Sequence, residues 1–372
     1  MLGIDERALR IVWTIFLFAL LLGTIYLIRD TLLLFALAIF FAYMLSPVVG
    51  LVERLLPKRR TSALAVVYVV LIGLLVFIGF QIIPKIVEQA TNLATRLPAL
   101  LSGNKLASMP LPSWLEPVRE HVIAFINRQA SDLGSRVVPF IQQAGSKILS
   151  GIGALLPLIL IPILAFFFLK DGEQIRGALI GTVDSKRDRT LLEQILDDIH
   201  VLLRNYIRAL VLMSVSSFCC WFLFLSVMRY PYELLLAGIA GVLEFIPVIG
   251  PAAAVILMLI VYAVTGAGGL LWIVIFAAIY RLFADYVLNP YLMSAGIEIH
   301  PLLVLFGVLA GESMAGIPGM FFSVPVIAIL RVLYVNLKRT YLRRQLTAGT
   351  APPPPVNAAE DFLTSTGGQR PR

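Results

Sequence analysis

Five stretches of this chain, residues 11–28, 31–52, 62–83, 152–169 and 206–228, are almost free of charge and long enough to cross hydrocarbon. A bilayer core of about 30 Å takes about 20 mostly apolar helical residues. Blocks of this kind are apolar around the whole helix, so a soluble domain has no polar face with which to turn them toward water. Composition agrees: 59% of residues are hydrophobic, 14% are charged and mean hydropathy is +0.91. A globular domain has about 45–50% and about 25%. The expected fold class is an all-α polytopic membrane protein.

Other classes fall away on the same grounds. The two cysteines, Cys219 and Cys220, are adjacent inside an apolar run, which provides neither a disulfide framework nor a CxxC pair. His121, His200 and His300 lie far apart, without helical metal-site spacing. No metal or other cofactor is therefore expected. The net charge of +8 comes from basic residues that cluster beside apolar blocks, where the positive-inside rule accounts for them better than nucleic acid does.

Orientation follows from the short loops. Lys58-Arg59-Arg60 and the cluster Lys338, Arg339, Arg343 and Arg344 are the densest basic groups near span ends, so both are expected in the cytoplasm. The N-terminus then lies inside too, and Arg29-Asp30 reads as a tight polar turn outside. This divides the chain into three spans (1–84), an extracytoplasmic helical region (85–150), a fourth span (151–169) and a cytoplasmic helical region (170–205). A transport core over 206–337 and a basic, then Pro-rich, disordered cytoplasmic tail (338–372) follow. The first span shows no cleavage site and reads as retained. Ile86, Ala90, Leu93 and Leu97 form a stripe at helical spacing in the outer region, as do Ile126, Ala130, Leu133 and Val137. Leu192, Ile195, Ile199, Leu202 and Tyr206 form another in the inner one. Packing onto the bundle is the plain reading of these stripes, and partner binding is the other.

After Arg229 the pattern changes. Residues 233–250 and 251–264 are apolar pieces split by Glu244-Phe-Ile-Pro-Val-Ile-Gly-Pro251. The second piece gives about 21 Å of helix, short of a crossing. Residues 301–315 are equally short, and Gly311, Gly316, Pro318 and Gly319 interrupt the way to 320–337. Short apolar segments broken by Gly and Pro point to re-entrant hairpins, here 233–264 and 301–337, on either side of the long span 268–293. The expected architecture has about eight membrane segments, the two broken hairpins among them, plus extramembrane amphipathic helices. The plainer alternative is a set of kinked ordinary spans.

Charges inside these segments favour the first reading. Glu244, Arg281, Asp285 and Glu312 each cost roughly 2.5–3.5 kcal/mol at a helix centre, so partners must exist. Arg281, Asp285 and Asn289 recur at four-residue spacing on one helical face. An ion pair stitching the bundle is one reading of Arg281–Asp285, and a solute site is the other. If the pair is buried, neutralising Asp285 would orphan Arg281 at about 3–5 kcal/mol. Glu244 and Glu312 sit beside the breaks, where each would either accept bonds from freed backbone N–H groups or bind a proton or cation. The candidate solute and ion site comprises Glu244, Pro247, Gly250, Pro251, Arg281, Asp285, Asn289, Glu312 and Gly316. No phosphate loop, nucleophile elbow or zincin motif is present, so no enzyme is expected.

Several motifs carry a resemblance. They are Lys170-Asp-Gly-Glu173, Glu244-Phe-Ile-Pro-Val-Ile-Gly-Pro251, Asn289-Pro290, His300-Pro-Leu-Leu303, and Gly311 with Gly316-Ile-Pro-Gly319 through Pro325. With them the chain resembles the autoinducer-2 exporter family, also called PerM-type permeases, from about Ile11 to Tyr341. The resemblance implies an oligomeric secondary transporter or exporter of the bacterial inner membrane, with autoinducer-2-like signalling molecules as one solute class and sodium/proton antiport in some members. Glu312-Ser-Met replaces the more usual glycine-rich stretch after Gly311. Three functions remain in play: a transporter of a small polar or anionic solute, a cation/proton antiporter, and a non-transporting scaffold. The expected partners are the bilayer, the solute, a proton or sodium ion, and further copies of the chain.

Overall fold

The computed structural model describes residues 6–56, 60–102, 152–265, 269–292 and 300–347, and all regular structure among them is helical. Among the described residues, six helices are long and apolar enough to cross a membrane. The stripe 126–137, most of the outer region and the Pro-rich tail lie outside the described residues.

Helices α1 (Glu6–Leu27) and α2 (Arg29–Leu55) depart from expectation. In place of the turn expected at Arg29-Asp30, Ile28 alone is non-helical, at φ −96° and ψ 13°. Ile28 N still donates to Thr24 O and Leu32 N to Ile28 O. The axis therefore bends without reversing. The charged pair misleads because it lies among good helix formers with no Gly or Pro to end the helix.

Helix α3 (Arg60–Phe77) continues through a π-helical turn, Ile78–Ile82, into α4 (Ile83–Ser102). Of the stripe on α4, Ala90 is buried and Leu93 packs against the core, as the spacing predicts. Gln89 beside it accepts a bond from the backbone N–H of Leu235 at 2.9 Å. That N–H lies in the first turn of a short helix, where no intrahelical carbonyl can serve it. Gln89→Ala should lower stability by about 1–2 kcal/mol, read as the melting shift in detergent, while Gln89→Glu should retain the bond.

Helices α5 (Ile152–Gly181) and α6 (Lys186–Val227) form a helical hairpin closed by Arg176–Asp197 at 2.6 Å. Ser185 caps α6 through the N–H of Asp188. Helix α6 is the axis of the molecule. Asp198 on it accepts from Asn336 at 2.8 Å, and His200 meets the Tyr43 hydroxyl at 3.0 Å. About two to three turns further, Ile207 and Leu210 pack with Phe40, Phe245 and Phe321. At its far end Trp221 and Leu225 enter a core with Tyr230, Leu236, Met258 and Tyr262. A separate core joins α2, α3 and α5 through Leu45, Leu64 and Ala165.

Both Pro/Gly-broken segments are helical hairpins. In the first, α7 (Glu233–Leu243) and α8 (Ile249–Thr265) flank the break. They measure about 16 Å and about 25 Å by helical rise, both under the bilayer core. Pro247 has no N–H to donate and disfavours helix in the residue before it. Val248 follows at φ 67°, a conformation rare for a β-branched residue. A Cβ at Gly250 would strike the Leu243 carbonyl, so the arms close only over glycine. At the other end Tyr262 donates to the Pro231 carbonyl at 2.9 Å, which brings both arms back to one level.

The second hairpin lies within α11 (Pro301–Thr347), which follows α9 (Leu270–Phe283), a π-helical turn (Ala284–Leu288) and α10 (Asn289–Leu292). Ala315 and Gly316 are non-helical, with Gly316 at φ 62° and ψ −140°, and they fold α11 back on itself. Gly311 faces Gly319 backbone to backbone, and Gly307 faces Ser323 and Ile327. Small residues at four-residue spacing permit this close approach, as in helix pairs within membranes.

Candidate functional site

The break of the first hairpin opens into a cavity of about 470 Å³, lined from α6 by Ser217 and Trp221, from the break by Glu244 and Val248, from α8 by Pro251, Ala252, Ala254, Val255 and Ile256, and from α9 by Ala277, Tyr280 and Arg281. The exposed Val248 and Ile256 lie at its mouth. Ser217 is midway between Tyr206 and Met228, about 16 Å from each by helical rise, so the cavity lies at the middle of the apolar part of α6.

Charge is concentrated at one wall. The Glu244 side chain is 4% exposed, with Arg281 Nη1 3.9 Å from its Oε1, too long for a hydrogen bond. The Ser217 hydroxyl, itself buried, lies within reach of the same carboxylate. Asp285 holds the other edge of the guanidinium in two bonds, Nε to Oδ2 at 2.8 Å and Nη2 to Oδ1 at 2.7 Å. Asn289 donates to Asp285 Oδ1 at 3.3 Å. The spacing-predicted stripe is thus physically joined. Asp285 lies in the π-helical turn Ala284–Leu288, where the Asn289 N–H reaches back to the Ala284 carbonyl. Such turns are rare and are frequent at functional sites.

Arg281 and Asp285 are not the buried pair that their spacing suggests, because their side chains are 43% and 39% exposed. The buried ion is Glu244, and Arg281 is the cation that faces it. Nor does Glu244 bond freed N–H groups at the break, since its carboxylate is turned toward Ser217 and Arg281.

Of the other residues proposed from sequence, Pro251 lines the cavity, while Pro247 and Gly250 shape the break behind it. Glu312 and Gly316 do not line it; they lie at the turn of the second hairpin, where Glu312 is exposed. The second hairpin meets the first through aromatic rings instead, with Phe245 and Phe321 centroids 5.6 Å apart.

Sequence reasoning missed Ser217, Trp221 and Tyr280. Tyr280 is 7% exposed, and its hydroxyl is buried without a hydrogen-bond partner among the described residues. Ser216 and Ser217 lie near it without the geometry of a bond. The available signal is the Ser216-Ser217 pair in mid-span and a tyrosine adjoining Arg281. In an apolar window each reads as filler or as an interfacial anchor.

Known proteins share these features of sequence. Residues 15–339 match the family model described as AI-2E family transporter. The chain is 25% identical over 313 residues to the candidate transport protein YueF of Bacillus subtilis (strain 168), covering 82% of this chain and 83% of that protein. It is 29% identical over 305 residues to the candidate permease PerM of Escherichia coli (strain K12), covering 80% and 84%. An archaeal relative, a candidate transport protein of Methanothermobacter thermautotrophicus, is 28% identical over 292 residues, covering 75% and 80%. The family match takes in the hairpins, the cavity and all but the outermost ends of the six long apolar helices among the described residues, and the chain belongs to the AI-2E transporter family, as a multi-pass membrane protein.

Proposed function

We propose that the chain is a secondary transporter that exports a small, polar, uncharged solute, of the class of autoinducer-2-like signalling molecules, across a bacterial inner membrane through the cavity beside Glu244. The observation that carries this reading is a half-open, mostly apolar cavity at mid-span with a single charged wall. Two carboxylates face one guanidinium there, which leaves a net charge of −1 when both are ionised. An anionic solute would be repelled, so the uncharged member of the two solute classes considered from sequence is preferred. Glu244 is the coupling group in this reading: protonation neutralises the wall and frees Arg281 Nη1 to donate to the solute.

The hairpins are re-entrant in this picture and enter from opposite faces. Both arms of the first hairpin and the entering arm of the second are shorter than the bilayer core, which supports that arrangement. The end carrying Arg60 and Lys338 faces the cytoplasm. The apolar surface left exposed on α1 and along the spans is covered by lipid and by neighbouring copies of the chain.

A second reading, sodium/proton antiport, draws on the same net negative wall. Uptake into proteoliposomes with a panel of neutral and anionic solutes, with and without sodium and pH gradients, separates the two. The expected result is movement of a neutral solute that responds to the pH gradient, with Glu244→Gln folding normally and losing that response. Sodium-dependent proton movement without any solute would favour the antiporter. No movement of either kind would return the chain to the scaffold alternative.

A further inference from the structure

We infer that Phe40, Phe245 and Phe321 form the gate that closes the cavity toward the end of the bundle carrying Arg60. This rests on the cavity being the transport site. The three rings come from three separate parts of the chain: α2, the break of the first hairpin, and the returning arm of the second. Their centroids lie 6.0 Å apart for Phe40–Phe245, 4.7 Å for Phe40–Phe321 and 5.6 Å for Phe245–Phe321. The first two contacts are edge-on, the geometry aromatic rings prefer when packed. The layer surrounds Ile207 and Leu210 on α6, about 10–15 Å from Ser217 by helical rise. It therefore lies between the cavity and the basic end, one aromatic layer thick.

Two features make the layer able to open. Phe245 is the neighbour of Glu244, so any movement of the break that follows protonation or solute entry moves the ring. The break is not held by a continuous helical ladder, and Val248 within it sits in the left-handed region. Strained backbone of this kind collects at switching segments. The second feature is Tyr206, which packs against the same layer with its hydroxyl buried and, among the described residues, without a partner. A hydroxyl in that position is placed to bond water that enters an opened layer.

The test reads the gate without any solute. In a background with Cys219 and Cys220 replaced by alanine, Ala277→Cys reports cavity access to an impermeant methanethiosulfonate reagent. Asp184→Cys, in a separate protein, marks the basic end in right-side-out and inside-out vesicles. Labelling of the thiol at position 277 from the marked face should be at least 10-fold faster after Phe321→Ala, and faster to a lesser degree after Phe321→Leu, which keeps more of the packing. Labelling from the opposite face should not change with either substitution. Equal rates from the marked face in the parent and in a folded Phe321→Leu or Phe40→Ala protein would overturn the gate. If the rates respond while no solute moves in proteoliposomes, the transport reading fails and the gate stands. If solute moves and the rates do not respond, only the gate fails.

Discussion

Arg281→Met should lower the stability of the detergent-solubilised protein by about 3 kcal/mol, and adding Glu244→Gln should restore most of it. Removing one partner of a buried ion pair costs roughly 3–5 kcal/mol, because the remaining charge stays desolvated. The 3.9 Å separation puts this pair at the low end. The structure reverses the order suggested by sequence alone. The Asp285 side chain is 39% exposed, so Asp285→Asn should cost about 1 kcal/mol, in the range of an exposed pair, instead of the larger penalty of an orphaned buried charge. Melting curves of the three single variants and the double variant give the answer. A double variant no more stable than Arg281→Met would show that Glu244 does not depend on the guanidinium.

The second large effect is steric. Gly319→Val places a side chain where the Gly311 backbone stands. Backbone cannot swing aside as the end of a side chain can, so the two arms of α11 must separate. We expect a loss of about 3 kcal/mol or more, at the upper end of overpacking penalties, with little folded protein recovered. Gly316→Ala is the control. No atom lies within 4 Å of where its Cβ would stand, and only the unusual φ of 62° opposes it, at about 1–3 kcal/mol. Gel-filtration yield and melting temperature should rank the two in that order. Equal tolerance of both would mean that the arms do not meet at Gly311 and Gly319.

Much of this architecture is legible in the sequence because membrane helices declare themselves by length and composition. The breaks at 244–248 and 315–316 are marked by Pro and Gly, whose backbone chemistry is local and needs no tertiary knowledge. The Arg281–Asp285–Asn289 stripe is legible for the same reason, as its members are neighbours along one stretch of helical backbone. What cannot be read depends on which faces meet. Nothing local says that Glu244 looks at Arg281 rather than at its own freed N–H groups, or that Glu312 stays away from the cavity. Phe40, Phe245 and Phe321 are three among 22 phenylalanines, and only packing distinguishes them. Arg29-Asp30 fails in the other direction. Two charges between apolar blocks resemble a loop, yet strong helix formers on both sides carry the backbone through them.

The π-helical turn at Ala284–Leu288 has a consequence for how such a site arises and can be lost. A π turn is an α-helix carrying one residue too many, accommodated locally. Removing a single residue there, such as Val287, would restore regular winding and leave everything beyond it on its present face. Asn289 would then follow Asp285 by three residues and Arg281 by seven, still on their face, whereas the same deletion in the regular winding of α9, at Val274, would turn the stretch beyond it by about 100°. A one-codon deletion at the π turn is therefore expected to spare the polar wall, and one at Val274 to turn Arg281 away from Glu244 in a protein that still inserts into the membrane, a lesion that no hydropathy plot would register.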